Sequence, residues 1–296
     1  MKAAQVTELG SPPVVAEIDE PADANLEVEA VSLNPLDVAV GAGRFYGGHP
    51  PLPYVPGCEA VGRAGGRRVY AFGDGRGVGK DGLLAERVVF PEELVVEIPD
   101  EVDAAVAAAC GIAGVAGWVP VVWVAQVTAD DRVLVLGASG AVGSFAVQAA
   151  KLSGARVVGA ARRVDAVEGA DAAVSLDDLS SAFEDGPTVV IDPLWGEPAT
   201  AAAEVAAPGA RIVHLGQSAG PEATFTSAAV RGKQLRIMGH SNFALTAEER
   251  AHAYGELLAE VAARRVAVDV ERFPLDRVGD AWEHQASGRG KAVVTL

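Results

Sequence analysis

The chain has 296 residues, half of them hydrophobic, and carries 24 Lys and Arg against 40 Asp and Glu, a formal net charge of −16. That length and apolar content fit a globular protein of two domains, and the acidic balance argues against nucleic acid or an anionic membrane as partner. The two cysteines, Cys58 and Cys110, are too few for a disulfide framework or a four-thiolate zinc lobe and read as small packing residues. No apolar run reads with the length and clean boundaries of a membrane span. The N-terminus, Met1 to Val6, lacks the charged region, apolar core and cleavage site of a signal peptide, so the expected compartment is the cytoplasm.

Residues 1–98 read as β-rich. Short apolar segments at 3–6, 26–33, 60–62, 67–72, 85–90 and 94–98 alternate with Gly/Pro turns, the pattern of a compact barrel-like domain. The loop 41–56, rich in Gly and Pro and carrying Phe45, Tyr46 and Tyr54, is expected to cover a site. From Asp103 the pattern turns helical, with segments at 103–110 and 115–127. Strand expectations at 188–192, 211–215 and 235–239 follow, with a helix over 197–207. A long helix over 246–264 opens on the capping box Thr246 to Glu249, and residues 268–296 return to strand–helix–strand. Strands alternating with helices in the second part give a doubly wound parallel sheet, an α/β Rossmann architecture. The expected boundaries are 1–110 with 263–296 for the β-rich domain and 111–262 for the dinucleotide-binding domain.

The most informative stretch is 132–163. The apolar run Val133 to Leu136 ends in the turn Gly137-Ala138-Ser139-Gly140-Ala141-Val142-Gly143, which opens an apolar-periodic helix and leads to a second run at 156–159. In such a β-α-β unit, Gly140 lets the backbone approach a pyrophosphate and Gly143 lets helix and strand pack closely. The helix N-terminus meanwhile offers unpaired N–H groups to the phosphates. Ala138, Ser139, Gly140, Ala141, Val142 and Gly143 are therefore the expected cofactor cradle. NAD-binding units carry Asp or Glu about 20 residues past the glycines to hold the ribose 2′-OH. Here that position reads Arg162-Arg163, with no carboxylate before Asp165. Two guanidiniums suit a 2′-phosphate, so the expected cofactor is NADP(H).

Five stretches, in order, carry a family pattern: Asn34-Pro35-Leu36-Asp37; residues 52–62 with Pro56-Gly57-Cys58-Glu59; residues 134–143; residues 208–217 ending Gly216-Gln217; and Gly290-Lys291 before the last apolar run. Over nearly its whole length the chain resembles the medium-chain dehydrogenase/reductase superfamily, in its zinc-free quinone oxidoreductase (zeta-crystallin-like) branch. The resemblance implies a GroES-like barrel domain beside the Rossmann domain, and an NADPH-dependent reductase of quinones or activated alkenes such as enones. It also implies a homodimer formed through the Rossmann sheet.

By the same resemblance Asn34 and Tyr46 are the candidate catalytic residues, with Phe45 competing for the Tyr46 position. Gly216, Gln217, Ser241, Asn242, Phe243 and Lys291 join the cofactor site. The zinc-dependent sister branch uses a Cys early in its first domain, where this chain reads Asn34-Pro35-Leu36-Asp37, and a His-Glu pair at the position of Gly57-Cys58-Glu59, its histidine falling on Gly57 or Cys58. Here that Cys is absent, so no metal is expected. Conjugate reduction needs none, because charge collects on a carbonyl oxygen that hydrogen bonds stabilise. His214 lies within an apolar run and reads as a packed core histidine, and the dispersed tryptophans, Trp195 among them, read as packing residues. Three rival readings stay open: an enoyl-thioester reductase, a non-catalytic NADPH-binding protein, and a hydrolase. The last rests on Gly137-Ala138-Ser139-Gly140-Ala141, which lacks the final glycine of a nucleophile elbow.

Overall fold

Hydrophobic alternation sets the first sheet. Along Leu26–Ser32, Leu26, Val28 and Ala30 point inward while Glu27 is exposed. The computed structural model describes residues 1–296 and divides them into two compact units, 1–112 with 254–296, and 113–253. The second crossing falls at 253/254, inside the helix Ala247–Ala262.

The first unit is GroES-like. Its main sheet runs Glu271–Pro274, Ala292–Thr295, Leu26–Ser32, Glu59–Ala64, Arg67–Phe72 and Val95–Glu97, antiparallel except for its first pair. Lys2–Gln5 pairs separately with Val14–Glu17. The hairpin between Glu59–Ala64 and Arg67–Phe72 closes on Gly65 and Gly66, at φ +56° and +81°, a two-residue turn whose twist matches the strands it joins. The Val-Val-Ala-Glu segment at 14–17 and the seven-residue helix Pro35–Gly41 carry too little apolar periodicity to be read from sequence.

The second unit is a six-stranded parallel sheet. In chain order its strands are Arg132–Leu136, Arg156–Ala161, Ala172–Ser175, Val189–Asp192, Arg211–His214 and Arg236–Gly239. In space they lie third, second, first, fourth, fifth, sixth, the doubly wound arrangement with its reversal beside Arg132–Leu136. The interior strands are largely apolar because helices cover both faces. The helix Ala141–Leu152 is approached closely by Val115–Val119: a Cβ on Gly117 would lie 2.6 Å from Phe145 Cβ.

The run Ala104–Val124 is, by length and composition, apolar enough to cross a membrane. Its window is 78% buried within the protein, and it breaks at Gly111 (ψ −110°) and again into a wider turn from Pro120. It packs as a core element.

Asp131 ties the N-terminal edge of the parallel sheet together. Its carboxylate accepts from Thr128 N (2.9 Å) and Thr188 Oγ1 (2.8 Å) and pairs with Arg211. Burial pushes its pKa up, but these hydrogen bonds and the guanidinium outweigh burial and hold it below the usual carboxylate range. A depressed carboxylate contributes stability that is present above its unfolded pKa and is lost as pH falls through the folded value. Asp131→Asn is therefore expected to cost about 2 kcal/mol at neutral pH. The deficit relative to wild type should shrink in urea titrations below about pH 4, and an unchanged deficit there would contradict this assignment.

Candidate functional site

In the second unit the site is built at the C-terminal ends of the parallel strands, where open α/β sheets bind ligands. The glycine turn leaves Arg132–Leu136 and folds back on itself: Gly140 N donates to Gly137 O at 2.9 Å and Ala138 N to Ala160 O at 3.1 Å. Gly140 is the N-cap of Ala141–Leu152 and offers no side-chain acceptor, so the first-turn N–H groups of the helix lack a side-chain cap. Ser139, Ala141 and Val142 are partly exposed along this edge, while Ala138 and Gly143 are buried.

A Cβ on Gly143 would collide with Gly137 O and lie 2.7 Å from Ala138 Cα. Gly143→Ala is thus expected to pry the turn from the helix at a cost of about 1–3 kcal/mol, read as a lower Tm. A Tm equal to wild type would show that the close approach is not needed.

Arg162 and Arg163 are the first residues past strand Arg156–Ala161, both exposed and neither ion-paired. One 3₁₀ turn, Val164–Ala166, follows, and the next strand starts at Ala172, so the connection is short. Gly216 and Gln217 follow strand Arg211–His214, and Gln217 is exposed. Gly216 lies against Pro193, its virtual Cβ 2.7 Å from Pro193 O, and Gly137 lies against Leu194, its virtual Cβ 3.1 Å from Leu194 Cδ2. The loops after the first, fourth and fifth strands therefore converge. Ser241 caps a short turn over Asn242–Ala244, Asn242 Oδ1 meets His240 Nε2 at 3.0 Å, and the Phe243 ring is 56% exposed.

In the first unit, Asn34, Asp37, Cys58, Glu59 and Lys291 form one buried polar cluster. Asn34 Nδ2 donates to Glu59 Oε1 at 2.7 Å and to Ser32 O at 3.2 Å. Lys291 Nζ donates to Asn34 Oδ1 at 2.6 Å and Leu33 O at 2.8 Å, with Glu59 Oε1 3.9 Å away. Glu59 Oε2 accepts from Tyr70 OH (2.8 Å) and Ile112 N (2.6 Å), and Asp37 accepts from Asn34 N (2.8 Å) and Cys58 N (2.9 Å). Burial raises the pKa of Glu59 and lowers that of Lys291, and each is partly restored by the other.

Both amide atoms of Asn34 are thus engaged within the unit, and Lys291 is enclosed rather than presented at a surface. Of the neighbouring aromatics, Phe45 packs on the core and Tyr46, tilted against its ring with centroids 4.4 Å apart, is 89% exposed. Two groups that the sequence reading did not count among the catalytic or cofactor residues stand out. Glu59 is the hub of the cluster just described. Asp192, fully buried at the end of its strand, faces His214, whose ring is partly exposed rather than packed in the core.

Residues 141–260 match the family described as zinc-binding dehydrogenase. A quinone oxidoreductase of Lama guanicoe is 29% identical, the alignment covering 100% of this chain and 98% of that protein. The crystal structure of the quinone oxidoreductase from Thermus thermophilus, described with its NADPH complex, is 27% identical and superposes with a TM-score of 0.83, both chains covered in full. An NAD-dependent alcohol dehydrogenase is 26% identical with a TM-score of 0.86, again over both full chains. The chain is an oxidoreductase, similar over its full length to medium-chain dehydrogenase/reductase proteins of the quinone-oxidoreductase type.

Zinc, which the family description implies, does not fit the donors this chain presents. Burial, with Asp37 and Glu59 nearby, pushes the Cys58 thiol well up, opposing the thiolate a metal needs. Both Glu59 oxygens are already bonded within the protein. His, Cys, Asp and Glu side chains form no group of three with metal-binding geometry, whereas a catalytic zinc takes three protein ligands. A dinucleotide does fit: the turn would have no room if Gly143 carried a Cβ, and the helix end above it has free donors.

Proposed function

We propose that this protein is a zinc-independent, NADPH-dependent reductase of quinones or activated alkenes such as enones. The observation that carries the reading is the pairing of the glycine turn with Arg162 and Arg163, exposed and unpaired where an NAD-binding unit carries its carboxylate. When bound, the cofactor supplies a hydride. The turn 138–143 holds the pyrophosphate on backbone N–H groups, and Arg162 and Arg163 hold the 2′-phosphate by charge-assisted hydrogen bonds. Gly216 and Gln217 and the segment Ser241 to Phe243 border the remaining nucleotide.

Tyr46, with its exposed phenol, donates a hydrogen bond to the acceptor's oxygen, where charge develops during conjugate reduction. Asn34 acts at one remove. Its amide holds Lys291 and Glu59 in place, so Lys291 supports the site from within its own unit. The edge strand Arg236–Gly239, paired on one side only and exposing Arg236, Ile237 and Gly239, is the surface through which two copies join their sheets. Sedimentation at twice 30.2 kDa is expected, with Ile237→Pro shifting it toward 30.2 kDa. A wild-type monomer would remove this part of the reading.

The reading is tested by following NADPH absorbance with a panel of 1,2-naphthoquinone, an enone and an enoyl thioester. Turnover of the quinone or enone is expected. Turnover confined to the thioester would move the chain to the enoyl-reductase reading. NADPH binding without turnover of any acceptor would leave a cofactor-binding protein and no reductase.

A further inference from the structure

We propose that Asp192 and His214 form a cofactor-positioning pair. Asp192 fixes the imidazole as its Nδ1–H tautomer, and the exposed Nε2 accepts a hydrogen bond from a hydroxyl or amide donor of the bound nicotinamide nucleoside. This rests on the reading that the second unit binds NADP(H).

The placement comes from topology. Asp192 and His214 are the last residues of the fourth and fifth strands and pair in register, so their side chains rise together at the C-terminal edge. The first three strands carry the glycine turn and Arg162 and Arg163. The other half of a doubly wound sheet takes the second mononucleotide, and Asp192 and His214 lie there.

The side chains are arranged for one tautomer. Asp192 is fully buried, and its Oδ1 accepts from Leu194 N and Trp195 N, both at 2.9 Å. Its Oδ2 and His214 Nδ1 are both buried and both without a hydrogen-bond partner, and they face each other at 3.8 Å. Such orphaned atoms are rare in native interiors. A side-chain shift of about 1 Å makes each the other's partner at hydrogen-bond distance. With Nδ1 turned inward, the 30% exposure of the His214 side chain falls on the edge that carries Nε2.

Trp195 holds the ring in place, tilted against His214 with centroids 4.0 Å apart and braced edge-on by Phe225 at 5.4 Å. Trp195 itself sits at φ +57°, a strained conformation for a residue with a side chain, held by the N–H bond to Asp192. Strain of this kind persists where the surroundings over-determine it, most often at ligand sites. His240, the other titratable group here, bonds His214 O through its backbone and directs its ring to Asn242.

Two variants separate positioning from contact. In Asp192→Asn the amide oxygen must replace Oδ1 as acceptor for Leu194 N and Trp195 N, which turns the NH₂ group toward His214 Nδ1 and inverts the tautomer. His214→Phe keeps a ring against Trp195 and removes both nitrogens. Side-chain ¹⁵N spectra of the nucleotide-free protein, recorded in mildly alkaline solution, are expected to show Nδ1–H in wild type and Nε2–H in Asp192→Asn. His214→Phe identifies the resonance. In fluorescence titrations each variant should weaken NADPH about tenfold, the scale of one hydrogen bond, while 2′,5′-ADP, which occupies only the other half, binds as to wild type. A wild-type Nε2–H tautomer, or NADPH affinity unchanged in His214→Phe, would overturn the proposal. Wild type binding neither nucleotide would overturn the cofactor reading and the nucleotide contact together, and the tautomer would still decide the Asp–His pair.

Discussion

Lys291→Met is expected to destabilise the protein by about 3–5 kcal/mol, the cost of leaving a buried charge without its partner. Lys291 is 4% exposed and places its ammonium on Asn34 Oδ1 and Leu33 O beside Glu59, which is fully buried. Methionine matches the stem but leaves Asn34 Oδ1 without its donor and the Glu59 carboxylate without a cation. The two charges gain little as a pair over a neutral replacement, because burial works against both. Glu59→Gln/Lys291→Met is therefore expected to recover most of the loss.

The pH dependence follows from Glu59. A carboxyl with a raised folded pKa contributes stability that is full below its unfolded value and is lost as pH rises through the folded one. Without Lys291 only the Asn34, Ile112 and Tyr70 hydrogen bonds offset that loss, so the deficit of Lys291→Met against wild type should be largest near neutrality and shrink toward about pH 4, where Glu59 is protonated. Urea unfolding at both pH values measures this. A single variant as stable as wild type, or a double variant no better than the single, would contradict the account of the cluster.

Arg162→Ala is expected to cut the preference for NADPH over NADH in kcat/KM by roughly ten- to a hundredfold, the worth of about 1.5–3 kcal/mol for hydrogen bonds to a charged group. The loss should fall on NADPH alone, since NADH lacks the 2′-phosphate. Both guanidiniums are exposed, so the preference should also weaken as salt screens them. The further loss on adding Arg163→Ala divides the phosphate between the two side chains. A preference unchanged in the double variant would move NADPH selection elsewhere in the molecule.

What the sequence disclosed and what it hid follow from range. The unit 132–163 was legible because strand, turn and helix are contiguous and their periodicities change at the glycines. The capping box at Thr246 was equally local, and both of its hydrogen bonds form, at 2.8 and 3.1 Å. The third strand of the parallel sheet, Ala172–Ser175, passed unread because Ala-Ala-Val-Ser on a half-exposed edge has neither a strong apolar run nor clear alternation. The polar cluster was hidden for a different reason. Asn34 meets Glu59 across 25 residues and Lys291 across 257, so its members are neighbours only in the fold. Asp192 and His214 each end an apolar run, and nothing in either run shows that parallel pairing sets them side by side. A carboxylate closing an apolar strand was the signal available there.

The central claim is hydride transfer from NADPH to a conjugated acceptor. Incubation with NADPH carrying deuterium at C4, both epimers tried in turn, and mass analysis of the reduced enone test it most directly. One deuterium at the β-carbon of the enone is expected from one epimer and none from the other. Unlabelled product from both epimers, or no reduced product while NADPH stays bound, would contradict it.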